Sequence, residues 1–200
     1  LQRSTGITLS GEATAELKRD LAAYDTNTTP YFLYEDTGRD RVLQVAKLLK
    51  FISRTDLRDK HPLFKGAYTR IADLLFGMAE EAETLGRGER ARVLRLNAMN
   101  YAVIATSLDD KDAEALAVQG IVTYSLGDSE QASITLEKAV KAGLPRGRLA
   151  DMAYALRGKI LEEKKEFGKA AALYNKASAG EVRVLGEDVS FIEAKARCLE

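Results

Sequence analysis

Apolar residues recur along most of this chain three and four positions apart, the spacing of one helix face. Val42, Val45, Leu48, Leu49 and Ile52 form the clearest stripe and predict a helix over residues 39–53. Leu17 and Leu21 repeat the spacing behind a capping Ser10, predicting a helix over residues 10–24. Between them DTNTTP, residues 25–30, reads as a loop, because Thr and Asn compete for backbone hydrogen bonds. The aromatic run YFLY, residues 31–34, fits either a brief strand or a helical turn starting at Pro30. Residues 54–62 are polar and end in proline, which marks a joint.

From Leu63 onward the texture is one of long helices with very short breaks. The pattern predicts helices over 63–85, 89–108, 112–126, 129–142, 148–164 and 167–177, and a last one over 189–197. Loops this short force neighbouring helices to lie antiparallel as hairpins. The expected fold is all-α. Residues 1–62 form an N-terminal helical extension, 63–180 a run of hairpins, and 181–200 a C-terminal capping helix.

The run contains a repeat. Laid over residues 165–178 (KEFGKAAALYNKAS), residues 127–140 (GDSEQASITLEKAV) place Ala132 on Ala170, Leu136 on Tyr174, Lys138 on Lys176 and Ala139 on Ala177. Gly120 and Gly158 match in the preceding helices. Small residues belong where helices approach closely, and large ones fill the space beside them. This pattern resembles the tetratricopeptide (TPR) family, with a small residue in mid-helix, then Ala, a bulky residue and Ala. Pro145 falls near that family's terminal proline. The copies are 38 residues apart rather than the family's usual 34, and Leu116 and Tyr154 stand in place of its Trp. The resemblance covers residues 112–179 clearly. It covers 63–111 loosely, through Gly77, Ala79, Ala98, Ala102 and Ala105.

The resemblance implies a right-handed superhelix of stacked hairpins whose concave groove holds a peptide or a partner's helix. The groove positions it implies are Glu114, Ala117, Ile121 and Tyr124 in one repeat and Ala155, Lys159 and Glu162 in the next. Tyr124 is the strongest of these, since an aromatic side chain gives contact area at low entropy cost; it equally suits packing against the next hairpin. The chaperone-binding subclass grips a terminal carboxylate with Lys and Asn, and Ala117 and Ile121 stand there instead, so no such clamp is expected.

Composition narrows the chemistry. Lys plus Arg and Asp plus Glu are 30 each, so the basic excess of a phosphate-neutralising nucleic-acid binder is missing and no nucleic acid is expected. One Cys and one His leave no cysteine-rich or multi-histidine metal site, and no metal or cofactor is expected. Cys198 suits a reducing, cytoplasmic setting, while a start at Leu1 leaves room for a removed leader. No apolar run reaches the length of a membrane span.

Several site-like features have plainer readings. GRGERA, residues 86–91, spells a dinucleotide fingerprint, but a helix and not a strand is expected before it, so it reads as a helix–helix turn. Arg87, Arg90, Arg92 and Arg95 form a face that pairs with Glu80, Glu81 and Glu83 or meets an acidic partner. Asp109, Asp110 and Asp112 sit where a helix start wants capping acids. The sequon at Asn27 matters only in a secreted eukaryotic protein, and His61 before Pro62 reads as a surface residue. Glu162 and Glu163 are adjacent on a helix and diverge by about 100°, so they do not form an acid–base pair. The expected role is a non-catalytic adaptor or scaffold for a protein or peptide. The alternative is a structural protein that self-assembles through its terminal repeats.

Overall fold

A computed structural model of the chain describes residues 41–54 and 64–199. The helix expected over 10–24, the loop at 25–30, the run 31–34, most of the 54–62 joint, Asn27 and His61 lie outside the described residues. Within them the fold is helical, with eight helices and one two-stranded sheet. None of these helices is long and apolar enough to cross a membrane. The chain divides into two compact units at Leu108 and Asp109.

The first unit contains α1 (Arg41–Ile52), α2 (Phe64–Thr84) and α3 (Gly88–Leu108). Of the α1 stripe, Val45, Leu48 and Leu49 are buried while Val42 and Ile52 are half-buried, and Phe51, outside the stripe, is fully buried; α1 packs on α2. Phe51 meets Phe64 with ring centroids 5.8 Å apart, and Phe64 meets Tyr68 at the same distance, so aromatic edges close the end of this core. Arg41 donates to the Gly77 carbonyl at 3.3 Å, and a methyl at Gly77 would rest in ordinary van der Waals contact with that guanidinium. Helices α2 and α3 form a tight hairpin, with Ala98, Ala102 and Ala105 buried at their contact. Arg95 reaches back to Glu83 at 3.0 Å. GRGERA spans the end of the turn between these two helices, at Gly86 and Arg87, and the first turn of α3.

The second unit contains α4 (Ala113–Ser125), α5 (Ser129–Ala142), α6 (Arg148–Glu163), α7 (Phe167–Tyr174), β1 (Glu181–Val184), β2 (Glu187–Ser190) and α8 (Phe191–Arg197). Asp112 caps α4 by accepting from the Glu114 and Ala115 amides, which absorbs the acidic run before it. Helix α4 pairs with α5 and α6 with α7, while α6 also packs on both α4 and α5. Arg157 stitches that second contact: one guanidinium nitrogen donates to the Ser133 carbonyl and the other lies 2.9 Å from Glu137.

The interior of each hairpin follows the aligned positions. Gly120 faces Leu136, where an added methyl would sit 2.7 Å from its Cγ. Gly158 faces the Tyr174 ring, where it would sit 2.3 Å from Cε1. Ala132, Ala139 and Ala170 are fully buried. Each hairpin turn also closes with one hydrogen-bond pattern. The Asp128 amide donates to Thr123 and Gly127 to Tyr124; in the next hairpin Glu166 donates to Leu161 and Lys165 to Glu162. In the first unit Arg87 donates to Ala82 and Gly86 to Glu83 in the same way.

Two features depart from expectation. Helix α7 ends at Tyr174 instead of running to Ala177. The stretch expected to be a helical cap begins as a β-hairpin, with Val182 opposite Val189 and Val184 opposite Glu187. Val182 and Val184 alternate inward, and Leu185 and Gly186 both take positive φ in the two-residue turn, the geometry that matches the twist of paired strands. Only then does α8 follow, its start capped by Ser190.

Candidate partner-binding site

The last turn of α6, Tyr174 on α7, strand β2 and α8 enclose an open cleft of about 310 Å³. Its walls carry five carboxylates, from Glu162, Glu163, Glu187, Asp188 and Glu193, against two cations, Lys159 and Arg197. The cleft exists because β2 and α8 fold back over the end of α6 after the short hairpin turn.

A polar network lines it. Lys159 Nζ sits 2.7 Å from Glu187 Oε2, and this bond raises the lysine pKa above its usual range. The Tyr174 hydroxyl donates to Glu162 Oε1, and Arg197 Nη2 lies 3.6 Å from the same oxygen. Burial, then the bond to Glu162, pushes the Tyr174 phenol far up. Burial first, and Glu162 second, also pushes up the Cys198 thiol, which keeps it protonated and a poor nucleophile. Glu163 and Glu193 make no ion pair among the described residues.

Two of the expected groove positions, Lys159 and Glu162, line this cleft. Tyr124 stands beside it on α4. Burial raises its phenol most, Lys159 opposes, and Glu163 and Glu187 reinforce, so these groups share one neighbourhood. Ile121 and Ala155 do not share it. Each is 1% exposed, as Ala117 is fully buried, so the expectation that they face an open groove is corrected: they are core. The cause is the small-on-large packing itself, because α6 lies close against α4 and covers that side. Glu114 is exposed in the first turn of α4 and is not part of the cleft wall.

No protein-family model, curated protein or solved structure matches the chain. The cleft stands on its geometry. Tyr174, Glu187, Asp188, Glu193 and Arg197 were not expected as site residues. Their signal was the alternation Val182, Val184 before Leu185-Gly186, which marks a hairpin that would carry acids back over α6.

Proposed function

We propose that this chain is a non-catalytic interaction module, a TPR-like stack of helical hairpins that holds a peptide or helical segment of a partner protein. The register of the second unit carries the reading. Two hairpins 38 residues apart bury matching small residues against matching large ones, an arrangement suited to a repeat scaffold. The cleft supplies the contact surface. Tyr124 and Tyr174 offer aromatic area, Lys159 and Glu162 are held in fixed positions, and Glu163 and Glu193 remain for a partner's basic side chains.

The test is selection of binders from a random peptide display library on the full chain, followed by calorimetry on the selected peptides. Peptides bearing Lys or Arg are expected. Tyr124→Ala with Lys159→Ala should abolish their binding, and Glu163→Lys with Glu193→Lys should weaken it roughly tenfold or more. Selected peptides that bind both double variants as they bind the unaltered chain would reject the cleft as the site.

A further inference from the structure

Strand β2 borders the cleft with its edge. All four of its residues, Glu187 to Ser190, line the cleft, and no residue of β1 does. Side chains of a strand alternate between its two faces, so a surface that meets four in succession runs along the strand's side. That side is the one turned away from β1. Lys159 holds it against the end of α6 through Glu187, at 2.7 Å.

The register fixes what this edge presents. In a two-residue hairpin the pair beside the turn exchanges both backbone bonds, and bonded pairs alternate with unbonded ones from there. Val184 with Glu187 and Val182 with Val189 are therefore the bonded pairs. Asp188 turns its N–H and C=O outward, and Ser190 its N–H. None of these three groups has a backbone partner among the described residues. Glu187 and Asp188 are exposed, so the edge is open to solvent.

We propose that a partner adds an extended, basic segment to this edge as a third strand. The proposal rests on the cleft being the partner site and names the form in which the partner enters it. Charge chooses the occupant. Of the five carboxylates in the wall, Glu187 and Glu162 pair with Lys159 and Arg197, and Asp188 pairs with Arg183. Glu163 on α6 and Glu193 on α8 are left without an ion pair among the described residues, one on each of two walls. A second copy of the chain would bring Glu187 and Asp188 against acids of its own kind, the device by which natural edges block self-pairing. A segment with Lys or Arg at alternate positions meets opposite charge instead, while its backbone pairs with Asp188 and Ser190. The four residues of β2 span about 13 Å, so a segment of about five residues is long enough.

Two synthetic peptides of equal charge test this on the full chain: one alternates Lys and Val and favours an extended form, the other is built of Ala and Lys and favours a helix. Calorimetry should show the Lys-Val peptide binding about tenfold tighter or more. In its presence hydrogen exchange of the Asp188 and Ser190 amides should slow by about tenfold or more. N-methylation of alternate peptide amides should cost about tenfold in one phase and little in the other, because only one set faces β2. Asp188→Pro removes an outward N–H and spares the bonded pairs, so it should lose about tenfold in affinity, whereas Asp188→Asn keeps the N–H and should lose only a few-fold. Slow exchange at Val182 and Val189 shows that the hairpin survives the proline; where it does not, the methylation phases decide. Equal binding in both phases overturns strand addition. So does an Ala-Lys peptide that binds the better and protects neither amide, which would leave the cleft as the site of a helix. If neither peptide binds, or the Lys-Val peptide binds unchanged to Glu163→Lys with Glu193→Lys, the cleft itself is rejected as the partner site and this proposal with it.

Discussion

The hairpins α4–α5 and α6–α7 share their interiors and differ at almost every end. Both set a mid-helix glycine under a large side chain, and both close their turn with the same pair of backbone hydrogen bonds. The first hairpin makes that turn with suitable residues. Gly127 takes the left-handed position, and Asp128 caps α5 through the Gln131 amide. The second puts Lys165 in the left-handed position and Glu166, which caps nothing, before α7. Helix α5 then runs 14 residues and α7 only eight. Tertiary contacts compensate. Asp151, 3% exposed on α6, accepts from the Ser178 amide, the Ser178 hydroxyl and the Ala179 amide. Tyr174 bonds to Glu162 and packs on Phe191, centroids 6.1 Å apart. Register in this repeat is set by small-on-large contacts, while turn and cap chemistry adjusts the stability of each copy.

Asp151 gives the largest test of that view. Its counterpart in the first hairpin is Ala113, so the anchor belongs to the second hairpin alone. Asp151→Ala should cost about 3 kcal/mol, because bonds to a charged acceptor are each worth about 1.5–3 kcal/mol and the carboxylate's own desolvation offsets part of their sum. Urea unfolding measures the loss. Hydrogen exchange at Ser178 and Ala179 should quicken, while amides in α5 change only with global stability. Equal local loosening in both hairpins would show that the anchor does not act for the second one alone.

The helical positions were legible because their signals are local and periodic. Val42 to Ile52 marks α1 by spacing, and residues 129–142 bound α5 by an Asp cap before them and a glycine after. The repeat was legible as well, since Gly120 with Leu136 and Gly158 with Tyr174 are physical contacts and not only aligned letters. The early end of α7 was not, because nothing in NKASAG forbids one more turn; a carboxylate 27 residues upstream captures Ser178. The exposure of Ile121 and Ala155 was misread because helical spacing tells which residues share a face and not which neighbour covers it. The cleft required the β-hairpin, whose Leu-Gly turn is a weaker signal than Asn-Gly.

A sharper comparison comes from adding one methyl at each glycine. Both substitutions gain about 1 kcal/mol of helix propensity and lose through overpacking, which costs about 1–3 kcal/mol or somewhat more. At Gly120 the new atom meets Leu136, a side chain with rotamers to spare, though the α5 backbone nitrogen is also near at 3.2 Å. At Gly158 it meets a flat ring held by Glu162 on one side and Phe191 on the other. Gly158→Ala should therefore cost about 2 kcal/mol net and Gly120→Ala about 1 kcal/mol, read from urea midpoints at constant slope. The reverse order would mean that Tyr174 yields more easily than Leu136 and that its anchoring has been overstated.

The smallest effect runs in the stabilising direction. Lys165 holds φ at 61°, a conformation that costs an ordinary residue roughly 1–2 kcal/mol, whereas glycine there loses only about 0.5–1 kcal/mol through the freedom of the unfolded chain. Lys165→Gly should gain about 0.5 kcal/mol. Adding Glu166→Asp supplies the shorter side chain that reaches an amide three residues on, as Asp128 does, and the cap so formed outweighs the exposed pairing of Glu166 with Lys169 that is given up. The double variant copies the Gly-Asp turn of the first hairpin into the second, and thermal unfolding should show a midpoint a few degrees higher. The converse, Gly127→Lys with Asp128→Glu, should lower it by a similar or larger amount, because the first hairpin has no Asp151 anchor to hold its end. Matching losses and gains would show that the two turns are interchangeable parts on one interior; a double variant that unfolds earlier would show that α7 depends on the Lys165-Glu166 turn in a way its hydrogen bonds do not reveal.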